Sequence, residues 1–270
     1  MEAGPRDRSE AVVFVHGNPG SSEDWRLLVS AVGSFARAVA FDQPGFGNAE
    51  KPSDFDYTVP GYSRYLGSAL EQLGIQKVHL VLHDFGGAWG LAWAAENPEA
   101  FASAVLINSG VLLGYRWHYL AKIWRTPLLG ELFMASSNRR AFGLLLRRGN
   151  PRGLPRAFVD RMYSQFDWGT RRAVLKLYRA SGDIDGLAHK LQAALRPLNR
   201  PALVVWGAHD PYIPLVQAAR QKETFSGAEV TILDESGHWP FADDPSRVES
   251  VVVPFLERVT RARLDEATGR

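Results

Sequence analysis

The chain has 270 residues, 46% of them hydrophobic, which suits one large domain or a core domain carrying an insertion. It has no cysteine, which excludes disulfides, thiol nucleophiles and thiolate metal sites. Net charge is only +2, but residues 111–200 hold 17 Lys/Arg against 5 Asp/Glu and the remainder 14 against 24, so a basic unit lies within an acidic one.

The first ten residues include Glu2, Arg6, Asp7, Arg8 and Glu10, a pattern that fits neither an apolar signal core nor an acid-poor transit peptide. Short apolar runs then alternate with helical patterns, as in parallel βαβ units. The runs are Ala11–Val15, Arg37–Phe41, Val78–His83, Ser103–Asn108, Ala202–Trp206 and Val230–Leu233. Between them a helix is expected to start at Ser21 or Ser22, with Glu23 and Asp24 in its first turn, where negative charge favours the helix dipole. Others are expected over Gly61–Leu73, Phe85–Asn97, Pro214–Thr224 and Pro245–Arg258. After Asn108 the alternation stops: residues 111–196 show helical patterns, Arg pairs and breakers at Gly149-Asn150-Pro151 and Gly153-Leu154-Pro155. The reading is a core of residues 1–110 and 197–270 with a helical cap of 111–196 inserted between two strands. The cap's arginines alternate with apolar residues at helical spacing, which fits a basic lid docked on an acidic core, or attraction of an anionic substrate, better than nucleic-acid binding. No apolar run approaches the roughly 20 residues of a membrane helix. The expectation is a soluble cytoplasmic protein, monomeric or homodimeric, with no membrane or nucleic-acid partner.

Val78–His83, Asp84, Phe85-Gly86-Gly87 and a helix pattern make a strand, a sharp turn and a helix, the layout of a nucleophile elbow. Asp84 stands at the nucleophile position, and no G-x-S-x-G occurs to offer a serine. The plain alternative for an Asp before a helix is an N-cap. Its partners weigh against that. Asp210 follows the strand Ala202–Trp206, and His238 lies in Gly237-His238-Trp239-Pro240 after the last strand. The order Asp84, Asp210, His238 is that of nucleophile, acid and base on this scaffold. His16-Gly17-Asn18-Pro19 follows the first strand, and the backbone N–H groups of Asn18 and Phe85 are the candidate oxyanion hole. His16 reads as a structural histidine. Asp42, in Asp42-Gln43-Pro44-Gly45, reads as a turn residue and a weaker candidate than Asp210 for the acid.

These blocks, H-G-x-P, H-D-x-G-G, G-x-H-D-P and G-H-W-P, resemble the α/β-hydrolase superfamily, in its branch of epoxide hydrolases and haloalkane dehalogenases, from about Ala11 to Leu256. The resemblance implies a mostly parallel sheet flanked by helices with an inserted helical cap, and no cofactor. The family normally begins with an extra β-hairpin. Only ten residues precede the first strand here, so about six parallel strands are expected, with an N-terminal edge shortened or differently covered.

A carboxylate attacking an alkyl carbon forms an ester whose carbonyl belongs to the enzyme, and a histidine-activated water reopens it. An Asp nucleophile therefore favours electrophilic saturated carbon, in epoxides or alkyl halides. Related dehalogenases hold the halide with a Trp next to the nucleophile; here that residue is Phe85, which has no donor. Asn18 matches a halide-binding Asn of one dehalogenase subgroup, but that subgroup's acid would fall in Asn108-Ser109-Gly110, which has no carboxylate. Leu82 also leans away from epoxide hydrolases, which usually carry Gly there. Related epoxide hydrolases use two cap tyrosines as acids. The resemblance implies Tyr178 and, from Tyr115-Arg116-Trp117-His118-Tyr119, Tyr119; Tyr115 and Tyr163 are alternatives, and packing of the cap core is the bland one. Trp117, Trp124 and Trp168 read as packing residues, with donation to a halide as the alternative for any of them. The expected activity is an epoxide hydrolase acting on a small apolar substrate, with an anionic one as a variant. Dehalogenase, ester or lactone hydrolase and non-catalytic binding protein are the alternatives.

Overall fold

The computed structural model describes the backbone of residues 1–268 and the side chains through Arg261. Its strands are β1 (Glu2–Ala3), β2 (Glu10–Val15), β3 (Arg37–Ala40), β4 (Lys77–His83), β5 (Phe101–Ile107), β6 (Ala202–Gly207) and β7 (Glu229–Leu233). They form one sheet in the order β1-β3-β2-β4-β5-β6-β7. The six expected strands all occur, within two residues at each end, and all pair in parallel. β2, β4, β5 and β6 are apolar along almost their whole length because helices cover both faces, which removes the alternation of a one-sided sheet. β1 had no sequence signal. It adds a two-residue antiparallel edge to β3, where Arg37 donates to Glu2 at 3.0 Å and to the Arg8 carbonyl at 2.8 Å. That strand covers the β3 edge of the sheet.

The helices are α1 (Arg26–Val32), α2 (Val59–Gln72), α3 (Phe85–Glu96), α4 (Tyr119–Arg125), α5 (Leu129–Ser136), α6 (Arg139–Arg148), α7 (Arg156–Gln165), α8 (Trp168–Ala180), α9 (Ile184–Leu195), α10 (Val216–Arg220), α11 (Pro240–Asp243) and α12 (Pro245–Thr268). Ser21 precedes a 3-10 turn, Ser22–Trp25, that leads into α1. The helix expected over Pro214–Thr224 is divided into α10 and a 3-10 turn. Between β5 and β6 the described residues form α4 to α9 and no strand. No helix among the described residues is long and apolar enough to cross a membrane.

β2 is flanked by β3 on one side and β4 on the other, so the chain's winding reverses between β2 and β4. The loops leaving the carboxyl ends of these two strands diverge and open a crevice there. The helical insertion lies over that edge. Arg161 of α7 donates to Asp24 at 2.6 Å, Arg152 to Asp244 at 2.7 Å, and Lys176 of α8 to the Ser53 carbonyl at 2.6 Å. Basic groups of the insertion thus meet acidic and carbonyl groups of the strand-bearing part.

Asp24 is buried, and burial pushes its carboxyl up to about 6 although Arg161 and the Ser21 N–H pull it down. A folded-state value above the unfolded one means that the native state binds this proton more tightly. Its contribution to stability is full below about pH 4 and is lost as pH rises through about 6. Urea unfolding of the parent and Asp24→Asn is expected to show the variant gaining on the parent by about 1–3 kcal/mol between about pH 4 and pH 7. A difference independent of pH would contradict the assignment.

Candidate active site

Asp84 follows β4 with φ 49° and ψ −125°, a positive-φ conformation that costs a non-glycine residue strain. It precedes α3, yet its side chain makes no capping bond to that helix. The carboxylate points instead toward the loop after β2, where Oδ1 accepts the Asn18 backbone N–H at 2.7 Å. The Phe85 backbone N–H, at the first residue of α3, also stabilises the charged carboxylate. The turn is tight because glycines permit close approach. A Cβ on Gly86 would lie 2.3 Å from the Val15 carbonyl oxygen, and one on Gly17 would lie 2.3 Å from the Asp84 Cβ. Ser109, after β5, donates its hydroxyl to the Asp84 carbonyl at 2.6 Å.

His238 reaches this carboxylate from the loop after β7. Its Nε2 lies 3.6 Å from Asp84 Oδ2, and its Nδ1 lies 2.7 Å from Asp210 Oδ2. The Asp210 side chain is fully buried, and its carboxylate is met by further donors. Asn108 Nδ2 donates to Oδ2 at 2.8 Å, and the Tyr212 and Ile213 backbone N–H groups donate to Oδ1 at 2.7 and 3.0 Å. Asn108 thus supports Asp210 from the end of the neighbouring strand, and its own Oδ1 accepts the Gly207 N–H at 2.9 Å. His83 donates Nε2–H to the His238 carbonyl at 2.8 Å, and His238 donates its backbone N–H to Gly149 of the insertion at 3.1 Å.

Burial pushes the His238 imidazole down, but the charge and hydrogen bond of Asp210 and the charge of Asp84 outweigh it, and the net shift is upward. Burial raises the Asp84 carboxyl, against the opposing pull of His238 and the two N–H donors. His16 and Asp42 take the structural parts expected of them. His16 Nε2 accepts the Gln43 N–H at 2.9 Å, while Asp42 accepts the Ser22 and Asn48 N–H groups at 2.6 Å each.

Two cavities reach Asp84. The larger, about 180 Å³, runs into the insertion between Phe133, Phe142, Leu146 and Val174, and is also lined by Asn18, His238 and Tyr212. The smaller, about 40 Å³, is lined by Phe85, Leu112, Tyr115, Trp117 and α9 residues. Asp84, His118 and Tyr178 line both. Tyr178 is buried, its hydroxyl lies 3.2 Å from His118 Nε2, and burial and the Asp84 charge hold its phenol well above the ordinary range. It stays protonated at neutral pH.

Tyr119 is a correction. It is 47% exposed and lines neither cavity, because His118 caps α4 and turns the next residue outward. Tyr115 lines the smaller cavity, but its hydroxyl is committed to the Tyr212 carbonyl at 3.0 Å. Tyr163 packs on Phe142 at 5.5 Å between ring centroids. Trp117 stacks on Phe85, and Trp168 is 57% exposed. Trp124 packs on Tyr178 and lines the larger cavity with its indole N–H unpartnered among the described residues. The Asn18 side-chain amide is likewise buried there and makes no hydrogen bond of ordinary geometry among the described residues, but it lies close enough to the Tyr178 hydroxyl to pull that phenol down. No lysine or arginine lines either cavity among the described residues. Sequence reasoning missed His118, Tyr212 and the bracing role of Asn108. Tyr212 carried one local signal, its place two residues after Asp210.

A sequence model of the alpha/beta hydrolase fold matches residues 10–245. The chain belongs to this family. It is 28% identical to a cis-3-alkyl-4-alkyloxetan-2-one decarboxylase of Xanthomonas campestris pv. campestris, over 96% of this chain and 91% of that one. It is 37% identical to a haloalkane dehalogenase of Agrobacterium fabrum, over 47% of this chain and 44% of that one. The crystal structure of haloalkane dehalogenase DbeA from Bradyrhizobium elkani superposes with a TM-score of 0.82 at 24% identity, covering 97% of this chain and 94% of that chain, which establishes the shared fold. The alpha/beta hydrolase elbow depends on glycine at 86. Gly86→Ala is expected to lower stability by about 1–3 kcal/mol in urea unfolding, because the Val15 and His16 carbonyls it meets are backbone. Unchanged stability would contradict that close approach.

Proposed function

We propose that this alpha/beta hydrolase opens an epoxide to a diol through an ester on Asp84. The observation that carries the reading is that a buried phenol, Tyr178, and a carboxylate held by two backbone N–H groups and an imidazole face the same cavities. One supplies the proton that an epoxide oxygen needs, and the other supplies the nucleophile. The apolar walls favour uncharged substituents on the ring.

In the first step Asp84 Oδ2 attacks a ring carbon. The carbon–oxygen bond breaks, and its electron pair moves to the ring oxygen, which takes the Tyr178 proton. A hydroxyalkyl ester and a phenolate result. In the second step His238 Nε2 takes a proton from water, and the hydroxide attacks the Asp84 carboxyl carbon. The Asn18 and Phe85 N–H groups hold the oxygen on which charge then develops. Collapse expels the diol oxygen, which takes the proton back from His238. The carboxylic acid left at Asp84 returns its proton to the Tyr178 phenolate. Asp210 keeps His238 protonated on Nδ1 and steadies the imidazolium.

Dehalogenation is a second reading, and one observation favours it. The Trp124 indole N–H lines the larger cavity unpartnered among the described residues, and the Asn18 amide lines it beside the Tyr178 hydroxyl, so two N–H donors are available to a halide. The name of the Xanthomonas relative supports a third electrophile, a four-membered lactone, on the same site. Diol formation from epoxides without halide release from haloalkanes selects the first reading.

With a styrene-oxide-type probe, His238→Gln is expected to accumulate an adduct of the probe's mass on Asp84. Multiple turnovers in heavy-oxygen water should place label in that side chain. No label and no adduct would defeat the ester. Tyr178→Phe is expected to slow ring opening by about 100-fold or more. Because the His238 imidazole is raised, the acid limb of the rate profile should lie above the ordinary imidazole value near 6.5 and move on mutation of Asp210.

A further inference from the structure

His118 lines both cavities and contacts the phenol assigned above as the acid. Its Nδ1 faces the backbone N–H of Ala121 at 3.2 Å, which makes it the N-cap of α4. A backbone N–H only donates, so Nδ1 is the bare nitrogen, and a neutral ring then carries its hydrogen on Nε2. That nitrogen is the one 3.2 Å from Tyr178 Oη. The opposite arrangement, with the phenol donating to Nε2, needs the other tautomer, which would set an Nδ1–H against the Ala121 N–H.

We propose that His118 is a positioning residue that donates Nε2–H to Tyr178 Oη and so directs the phenol hydrogen at the leaving oxygen beside Asp84. The inference rests on Tyr178 being the acid. The bond also matters beyond orientation. As Tyr178 gives up its proton its oxygen gains charge, and the Nε2–H bond to it strengthens, which favours the transition state over the resting state.

The surroundings keep the ring neutral. Burial pushes His118 down to about 4, His238 adds to that, and Asp210 opposes it. Tyr178 faces the ring from α8, Trp124 from the far end of α4, Tyr119 from the same helix start, and Tyr212 from the loop after β6 at 5.1 Å between centroids. Among the described residues no carboxylate is bonded to the ring to hold an imidazolium.

Two substitutions separate positioning from simple helix capping. His118→Asn keeps an oxygen suited to the N-cap but is too short to reach Tyr178; His118→Gln keeps a donor near the Nε2 position but is a poor cap. Positioning predicts that the Asn variant loses about tenfold in kcat on an epoxide with KM changed by no more than about twofold, that Gln recovers much of the loss, and that adding Tyr178→Phe to the Asn variant costs less than in the parent. Capping alone predicts the reverse, with Asn at parental kcat and Gln the weaker enzyme, and that result overturns the proposal. Nitrogen-15 NMR of the histidines in the unliganded protein gives an arm independent of turnover: His118 should be bare at Nδ1 and protonated at Nε2, and an Nδ1–H tautomer overturns it. Should the parent turn over no epoxide, the functional reading fails while the NMR still decides the direction of the bond.

Discussion

A negative charge is held at position 84 where little water reaches it. The Asp84 side chain is only 11% exposed, and an uncompensated carboxylate in such a place is costly enough to take up a proton. Two backbone N–H groups and an imidazole offset that cost. Each of these comes from a different strand end, so the charge is tenable only if β2, β4 and β7 deliver their loops to one point. The reversal of winding between β2 and β4 makes this possible, and the missing side chains at Gly17 and Gly86 let the loops close to hydrogen-bonding distance. Strain at Asp84 follows from the same need, because an ordinary helical start would aim the carboxylate along α3 and away from Asn18.

His238 stands between two carboxylates, and the geometry assigns them different work. Asp210 is within a short hydrogen bond of Nδ1, while Asp84 is 3.6 Å from Nε2. Asp210 is also saturated by Asn108 and two backbone donors and is shut off from both cavities, so it has neither a free lone pair nor access to an electrophile. Asp84 opens onto both. A carboxylate saturated by fixed donors is suited to orienting a neighbour, and one that opens onto an apolar cavity is suited to attack, which is the division of work the proposed reaction uses.

The strands were legible because burial on both faces leaves unbroken apolar runs; Asp84 stood out because it directly follows such a run, and Asp210 and His238 because each lies in the short loop after one. Both signals are local. β1 was missed because two residues carry no period, and its existence depends on Arg37 reaching back to Glu2 and Arg8. In the insertion the difficulty is helical phase. A shift of one residue separates His118, facing the cavity, from Tyr119, facing solvent, and the phase is set by an uncommon cap, a histidine nitrogen. Asn108 read as an absence of carboxylate, yet its amide binds a carboxylate that arrives from 102 residues further along. That pairing is visible only once β5 and β6 lie side by side.

The two halves of the site belong to different stretches of chain, and this has a consequence for how they are coupled. Asp84, Asp210 and His238 hang from strand ends, while the cavity-lining groups His118, Trp124 and Tyr178 come from α4 and α8 and the turn before them. The two are not independent. Gly149 and Asn150 of the insertion accept the His238 and Trp239 backbone N–H groups, and a Cβ on Gly237 would collide with the Gly149 carbonyl. The segment that shapes the apolar cavity therefore also grips the loop carrying the imidazole. Changes on the cavity-facing side chains of α5 and α6 can alter what fits without touching the charges, whereas a change in the 149–150 turn moves the base itself. Selectivity is free to vary along the helices, and the turn is the place where it is bound to the chemistry.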